Sequence, residues 1–304
     1  MLHRLRKRLA AAWFDLGVRG IDRTSPVRSG SARGPVVVTQ VCHRDVSMYL
    51  LALKSFARFV PPRRVVVLDD GSLSRADRDR LRRHVHPVDI LPVSSVANPT
   101  CPHGKTWERL LFIADLAPSE YVVQLDSDTL TLAEPREMIQ CIADNASFTI
   151  LGDEGEAVVS AAEIADRMRP KVSGGQTHVQ VIAEARMDEV AGIPNLRYVR
   201  GCSAFAGFAR GSMERETVER FSKALEATVG STKWKEWGSE QVTSCLVVAN
   251  TPGGRTLPFA RYCYHRPELS LDGRSFVHFI GTYRFRLGRY RRLGQRVIHE
   301  LIRG

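Results

Sequence analysis

Residues 121–132 read YVVQLDSDTLTL, and the fold turns on how this stretch is read. A short apolar run rich in β-branched residues predicts a buried strand, and it delivers two carboxylates, Asp126 and Asp128, with only Ser127 between them. In a strand, residues i and i+2 point to the same side, so the two acids repel unless something positive sits between them. A hard divalent cation such as Mg²⁺ or Mn²⁺ answers that need, because carboxylate oxygens are its preferred ligands. Two turn acids at the end of a strand would produce the same letters, so the rest of the chain has to decide.

Upstream, PVVVTQVC from Pro35 is an apolar run of strand length, and VSMYLLALKSFARFV reads as a helix up to Pro61–Pro62. RRVVVLDDGS is a second strand ending in turn residues, SRADRDRLRRHV a charged helix, and VDILPV a third strand. After the loop PTCPHGK, the helix TWERLLFIADLA leads into the opening stretch. This alternation predicts an α/β fold with a mixed, mostly parallel Rossmann-like sheet and helices on both faces. Such sheets bind ligands beyond the carboxyl ends of their strands, where Asp69–Asp70 and Asp126–Asp128 both fall. Downstream, SFTILGDEG and RYVRGCSAFAGFARGS read as strands, MERETVERFSKALEATVG as an amphipathic helix, EWGSEQVTSCLVVAN as a loop entering a helix, and RSFVHFIG as a late strand. Residues 155–196 carry no clear pattern.

The 304 residues, 43% hydrophobic, are enough for one large domain with additions. Six cysteines without a C-x-x-C pair argue against a zinc framework or disulfide scaffold and for a reducing compartment. No apolar run approaches the roughly 18 residues of a membrane span, and the N-terminal apolar stretch is short and lacks a cleavage site, so a cytoplasmic protein is expected. The net charge of +11 is uneven: residues 1–33 hold eight Lys/Arg and two acids, residues 274–304 eight Arg and one acid. Basic ends on a near-neutral body suggest docking at an anionic surface rather than nucleic-acid binding, here the cytoplasmic membrane face. The expected organisation is a basic amphipathic segment and linker (1–34), a catalytic domain (35–273), and a metal- and diphosphate-contacting strand with a basic tail (274–304). Leu2, Leu5, Leu9, Trp13 and Leu16 form one apolar stripe among Arg4, Arg6, Lys7 and Arg8; Tyr290, Leu293, Val297 and Leu301 form another among Arg289, Arg292 and Arg296. Helices that pack on the body and expose their arginines would look the same, and Gly288 and Gly294 weaken the second.

From Pro35 to about residue 285, the order of elements resembles the nucleotide-sugar-dependent glycosyltransferases of the GT-A fold. LDSDTL is similar to the D-x-D of the glycogenin-like and lipopolysaccharide-sugar transferases, and FVHFIGTYRF to their H-F-x-G segment. The resemblance implies that Asp126, Asp128 and His278 hold Mn²⁺ or Mg²⁺ against the diphosphate of a nucleotide-sugar donor, a UDP-sugar. It further implies that Gly281 lets the backbone approach the phosphates, with Arg284 and Ser127 as donor contacts. Arg284 alternates with Arg286 in what reads as one extended segment. At the first two strand ends, Thr39, Gln40 and Asp70 are the nucleotide candidates, although DDGS also reads as a turn that caps the next helix. Lys105 stands where related enzymes place a basic donor contact.

On the acceptor side the candidates are Gly201, Ser203 and Gly207 in GCSAFAGF, and Glu240 and Gln241, a pair the relatives show as an acid and Gln opening a helix. Trp234 and Trp237 are candidates for stacking on a sugar, with core packing as the alternative. The implied reaction is hexosyl transfer to a glycan or lipid-linked acceptor with retention of configuration; an inverting relative would need a base such as Glu240. Two other readings stand beside this one. LDSDTLT is similar to the D-x-D-x-T of haloacid-dehalogenase-like phosphatases, but Thr129 and Leu130 put the threonine out of register and three strands precede it. A non-enzymatic polyanion-binding protein would explain the charge and leave His278 and the paired acids without a task.

Overall fold

The computed structural model describes residues 2–303, with side chains described from Arg8 onward. The chain forms two compact units: one from the N-terminal part up to Val93 with Leu125–Ile139 and everything from Ala260, the other from Ser94–Gln124 and Gln140–Phe259. The first unit opens with α1 (Leu2–Val18), β1 (Val27–Arg28), β2 (Val36–Val41), α2 (Val46–Ala57), β3 (Arg64–Asp69), α3 (Arg75–His84), β4 (Val85–His86) and β5 (Asp89–Pro92). The chain then runs through α4 (Trp107–Leu116) and β6 (Val122–Leu125) to β7 (Thr129–Thr131) and α5 (Arg136–Ala143). The second unit continues with β8 (Phe148–Leu151), β9 (Val158–Ser160), α6 (Ala161–Ser173), α7 (Val179–Ala185), β10 (Arg197–Val199), β11 (Gly201–Phe208), α8 (Arg215–Val229), α9 (Ser231–Trp234), α10 (Ser239–Asn250) and β12 (Arg255–Leu257). Back in the first unit come β13 (Tyr262–Tyr264), β14 (Phe276–His278) and α11 (Arg289–Arg303).

In the first unit β5, β3 and β2 lie side by side in a sheet, and in the second β12, β8 and β11 do. β3 pairs parallel with both β2 and β5, and β12 parallel with β8, while β11 runs antiparallel to β8. This is the mixed, mostly parallel α/β class that the alternating pattern predicted. Val36, Val37, Val38, Val65, Val66 and Val67 are all buried, which is why these strands read as continuous apolar runs rather than alternating ones. Between β3 and α3, Ser74 and Asp77 form a capping box, so the DDGS turn passes directly into the helix.

The first 34 residues are more than a lead-in. Phe14, Val18, Ile21, Thr24 and Val27 are buried, and β1 pairs parallel with β4 inside the stretch expected as linker. Lys54 of α2, itself buried, donates to the Thr24 hydroxyl (2.8 Å) and to the carbonyls of Thr24 (3.2 Å) and Ser25 (2.7 Å). Burial pushes its ammonium down to about 8. The C-terminal stripe is corrected too: of its four residues Tyr290 and Val297 are buried in the fold, and Leu293 and Leu301 are half-buried. A Cβ on Gly294 would come within 2.8 Å of Leu51 in α2, so this glycine permits a close helix crossing and is not a weak point. Residues 155–196, unpatterned in the sequence, contain β9, α6 and α7; Ser160 caps α6 by accepting from the Glu163 amide (3.2 Å).

Candidate metal centre

The two acids do not lie within a strand. Asp126, Ser127 and Asp128 occupy the turn between β6 and β7, and the Thr129 hydroxyl closes it by donating to the Asp126 carbonyl (2.8 Å). What brings the third donor is register. β14 runs antiparallel to β7 with His278 opposite Thr129, one residue from Asp128, and the Phe279 amide donates to the Asp128 carbonyl (2.8 Å). Donor atoms of Asp126, Asp128 and His278 therefore lie within 4.8 Å of one another, although 150 residues of sequence separate the last two.

This donor set fits a hard or borderline divalent ion. Bonds of about 2.1 Å place adjacent ligand atoms about 3 Å apart and opposite ones about 4.2 Å apart. His278 Nε2 lies 3.4 Å from Asp128 Oδ1, close to the adjacent spacing, and the full cluster needs only a slight contraction. Asp128 and His278 are buried while Asp126 is partly exposed, so the cluster has an open side. A Cβ on Gly281 would meet nothing within 4 Å, so the space beside that backbone is open.

A cationic side chain also lies beside one of the acids: the Arg284 guanidinium donates to Asp128 Oδ2 and, through Nε, to the Phe279 carbonyl (3.2 Å). Burial works against ionising Asp128, but His278 and Arg284 outweigh it and hold the carboxyl well below the usual carboxylate range. Burial likewise opposes charge on Arg284, and Asp128 more than compensates. Arg284 and Arg286 do not share an extended segment: β14 ends at His278, and hydrogen-bonded turns follow, with the Tyr283 amide donating to the Ile280 carbonyl and the Arg286 amide to the Tyr283 carbonyl.

Behind the turn stands an aromatic stack that the sequence reading missed. Tyr290, expected in a membrane-facing stripe, stacks on Phe279 (4.1 Å between centroids, 11° between planes), and its hydroxyl donates to the Ser127 carbonyl (3.4 Å). Phe14 of α1 packs on the other side of Tyr290 at 4.3 Å. The residue beside His278 is thus braced by rings from both termini. The period-3.6 pattern marked Tyr290 as apolar-facing, but nothing in a helix pattern says which partner that face meets.

The other candidates have distinct surroundings. Thr39 is corrected: it is fully buried and its hydroxyl donates to the Leu125 carbonyl (2.7 Å), a structural task. Gln40 is half-buried at the end of β2. Asp69 and Asp70 both serve the turn they begin: Asp69 accepts from the Gly71 and Leu73 amides and pairs with Arg78, and Asp70 accepts from the Ser72 amide (2.9 Å) and hydroxyl (2.6 Å). In the second unit, Lys105 has a positive φ of 61° and donates to the Lys235 carbonyl. Glu240 opens α10, is buried, and accepts from Thr106 (2.9 Å) and Ser203 (3.2 Å) beside Arg109 (3.8 Å). Gln241 accepts from the Ser203 amide (3.3 Å) and donates to Gln180 (2.9 Å).

Gly207 is not an acceptor contact by geometry: its Cβ would strike Phe148 at 2.2 Å, so strand packing requires the glycine. Gly201 is similarly crowded by Thr149 at 2.8 Å. Trp234 is core, edge-on to Trp107 and donating to Ser222 (3.0 Å), whereas Trp237 is exposed. Among the described residues no helix is long and apolar enough to cross a membrane.

No family profile and no curated protein matches this sequence. Solved structures do resemble it. The glycosyltransferase GlyE of Streptococcus pneumoniae TIGR4 is 13% identical, with 89% of this chain and 62% of GlyE covered and a TM-score of 0.50. An active-site mutant of LgtC (11% identity, 85% and 94% covered, TM-score 0.49) and the bifunctional glycosyltransferase WbbM (14%, 82% and 46%, 0.47) are also similar. This chain thus spans less than two thirds of GlyE and under half of WbbM. The likeness to GlyE shows the fold, the GT-A arrangement expected from the sequence; the lower scores add no argument.

Proposed function

We propose that the protein is a metal-dependent glycosyltransferase that moves a hexosyl group from a nucleotide-diphosphate sugar, a UDP-sugar, to a glycan or lipid-linked acceptor with retention of configuration. One observation carries the reading: two carboxylates from the β6–β7 turn and an imidazole from β14, far apart in sequence, converge where β7 pairs with β14. In this reading Asp126, Asp128 and His278 hold Mn²⁺ or Mg²⁺. When bound, the ion supplies positive charge against the departing diphosphate, the main electrostatic task in breaking the anomeric bond. Arg284 keeps a permanent charge beside Asp128 and suits a phosphate oxygen; the open backbone at Gly281 and Ser127 of the turn suit the same diphosphate. Gln40 and Asp70, at the ends of β2 and β3, are the proposed nucleoside contacts, and Lys105 a further donor contact.

For Glu240 and Gln241 we assign acceptor-side roles. The Glu240 carboxylate is already engaged by Thr106, Ser203 and Arg109, which fixes its position and supports a structural acceptor-side role over that of a base. A thermal-shift screen of UDP-, GDP- and dTDP-sugars with and without Mn²⁺ tests the proposal. UDP-sugars should raise the melting temperature only when the metal is present; equal shifts without metal, or a preference for GDP, would overturn the assignment.

A further inference from the structure

Helix α1 is apolar on two opposite faces, and the fold uses only one. At 100° per residue, Phe14 and Val18 point to one side, where both are buried, while Leu9, Ala12, Trp13 and Leu16 point to the other. On that second side Leu9 is 62%, Trp13 49% and Leu16 53% exposed. Leu287, 61% exposed, extends the patch, since a Cβ on its neighbour Gly288 would lie 3.1 Å from the Trp13 ring. Large apolar side chains exposed together on one helix face are the kind of patch an interaction covers.

The charges around the patch select the partner. Arg8, exposed, flanks the stripe on one edge by helical angle, with the exposed Asp15 just beyond it, and Arg19, also exposed, follows where α1 ends at Val18. On the other edge the Arg291 guanidinium lies over the Trp13 ring at 4.4 Å, alongside Gly17. A second copy of this chain would set these arginines against one another. An anionic bilayer meets both demands, taking leucine and tryptophan side chains into the headgroup boundary and the guanidinium groups against lipid phosphates.

We infer that the outer face of α1, with Leu287 and Arg291, is a docking surface for an anionic phospholipid bilayer. The buried α11 residues Tyr290 and Val297 take no part. This surface does not depend on the transfer reading, and its test is independent of donor turnover.

The test is sedimentation of the full chain with vesicles of phosphatidylcholine alone or of phosphatidylcholine and phosphatidylglycerol at 3:1, in 0.1 M salt. About fivefold per arginine, with one such factor offset by Asp15, gives a preference on the order of twentyfold for the anionic vesicles. Leu9→Ser combined with Leu16→Ser should weaken anionic-vesicle binding at least tenfold with little change in melting temperature, because both side chains are mostly exposed. Arg8→Glu with Arg19→Glu should lower it by a similar factor through charge alone. The inference is overturned if the full chain does not sediment with anionic vesicles, if the variants bind as well as the parent, or if the leucine variant instead abolishes a concentration-dependent dimer.

Discussion

Replacing Asp128 by Asn keeps the shape of the side chain and removes one charge. Two losses follow. Without metal, Arg284 is left beside a neutral amide, with its side chain 23% exposed and that of Asp128 only 7%. Breaking a fully buried pair costs about 3–5 kcal/mol, and the partial exposure of Arg284 lowers the expectation to about 2–3 kcal/mol. With metal, a charged ligand of the three is gone. The parent at a metal and UDP concentration of about one hundred times the dissociation constant should gain about 2.7 kcal/mol. Asp128→Asn should gain almost none of it. Urea denaturation with and without Mn²⁺ and UDP separates the two effects: the variant should have a lower midpoint throughout and no metal-dependent increment. An Asp128→Asn protein that loses stability yet keeps the full increment would refute the placement of Asp128 in the metal site.

Four further outcomes follow from the same structure. Burial holds the Glu184 carboxyl up at about 7 from an ordinary 4.5, with Arg200, Tyr198 and Gln180 opposing. The folded state therefore binds more protons than the unfolded one between those values, and this group's contribution to stability falls as pH rises across that window; Glu184→Gln should remove that slope in urea titrations at pH 5 and pH 7.5. Gly207→Ala forces a Cβ against Phe148 and should lower stability by about 1–3 kcal/mol, read from the urea midpoint. Tyr290→Ala takes the middle ring from the Phe14–Tyr290–Phe279 stack and should cost about 3–5 kcal/mol in the same assay, with weaker Mn²⁺-dependent UDP binding by calorimetry. Asp70→Ala should narrow the preference for UDP over GDP in competition binding, and an unchanged preference would assign Asp70 to the turn alone.

The first half of the fold was legible because β2 and β3 are buried on both faces and its helices are punctuated by Pro61–Pro62 and the Ser74 cap. The convergence of His278 on the paired acids rested on a resemblance; the residue alone reads as core, since β7 is three residues long and its pairing with β14 is non-local. Residues 155–196 hid two helices because α6 carries Arg, Lys and Pro170 across much of its length. The glycines misled in both directions. Gly207 and Gly294 exist for close packing, which depends on partners far along the chain, whereas the open space at Gly281 is visible only once β14 is in place. Thr39, expected at a strand end, lies inside β2 opposite Val67, and its bond to the Leu125 carbonyl shows that the hydroxyl holds the fold.

Release of UDP tests the central claim most directly. The protein is incubated with UDP-sugars and Mn²⁺, with and without chelator, alongside a simple phosphomonoester, and UDP, free sugar and inorganic phosphate are each quantified. The account predicts UDP release from at least one UDP-sugar that chelator abolishes and that Asp128→Asn lacks, with no phosphate from the monoester. Chelator-resistant release, or phosphate from the monoester without any UDP, would contradict it.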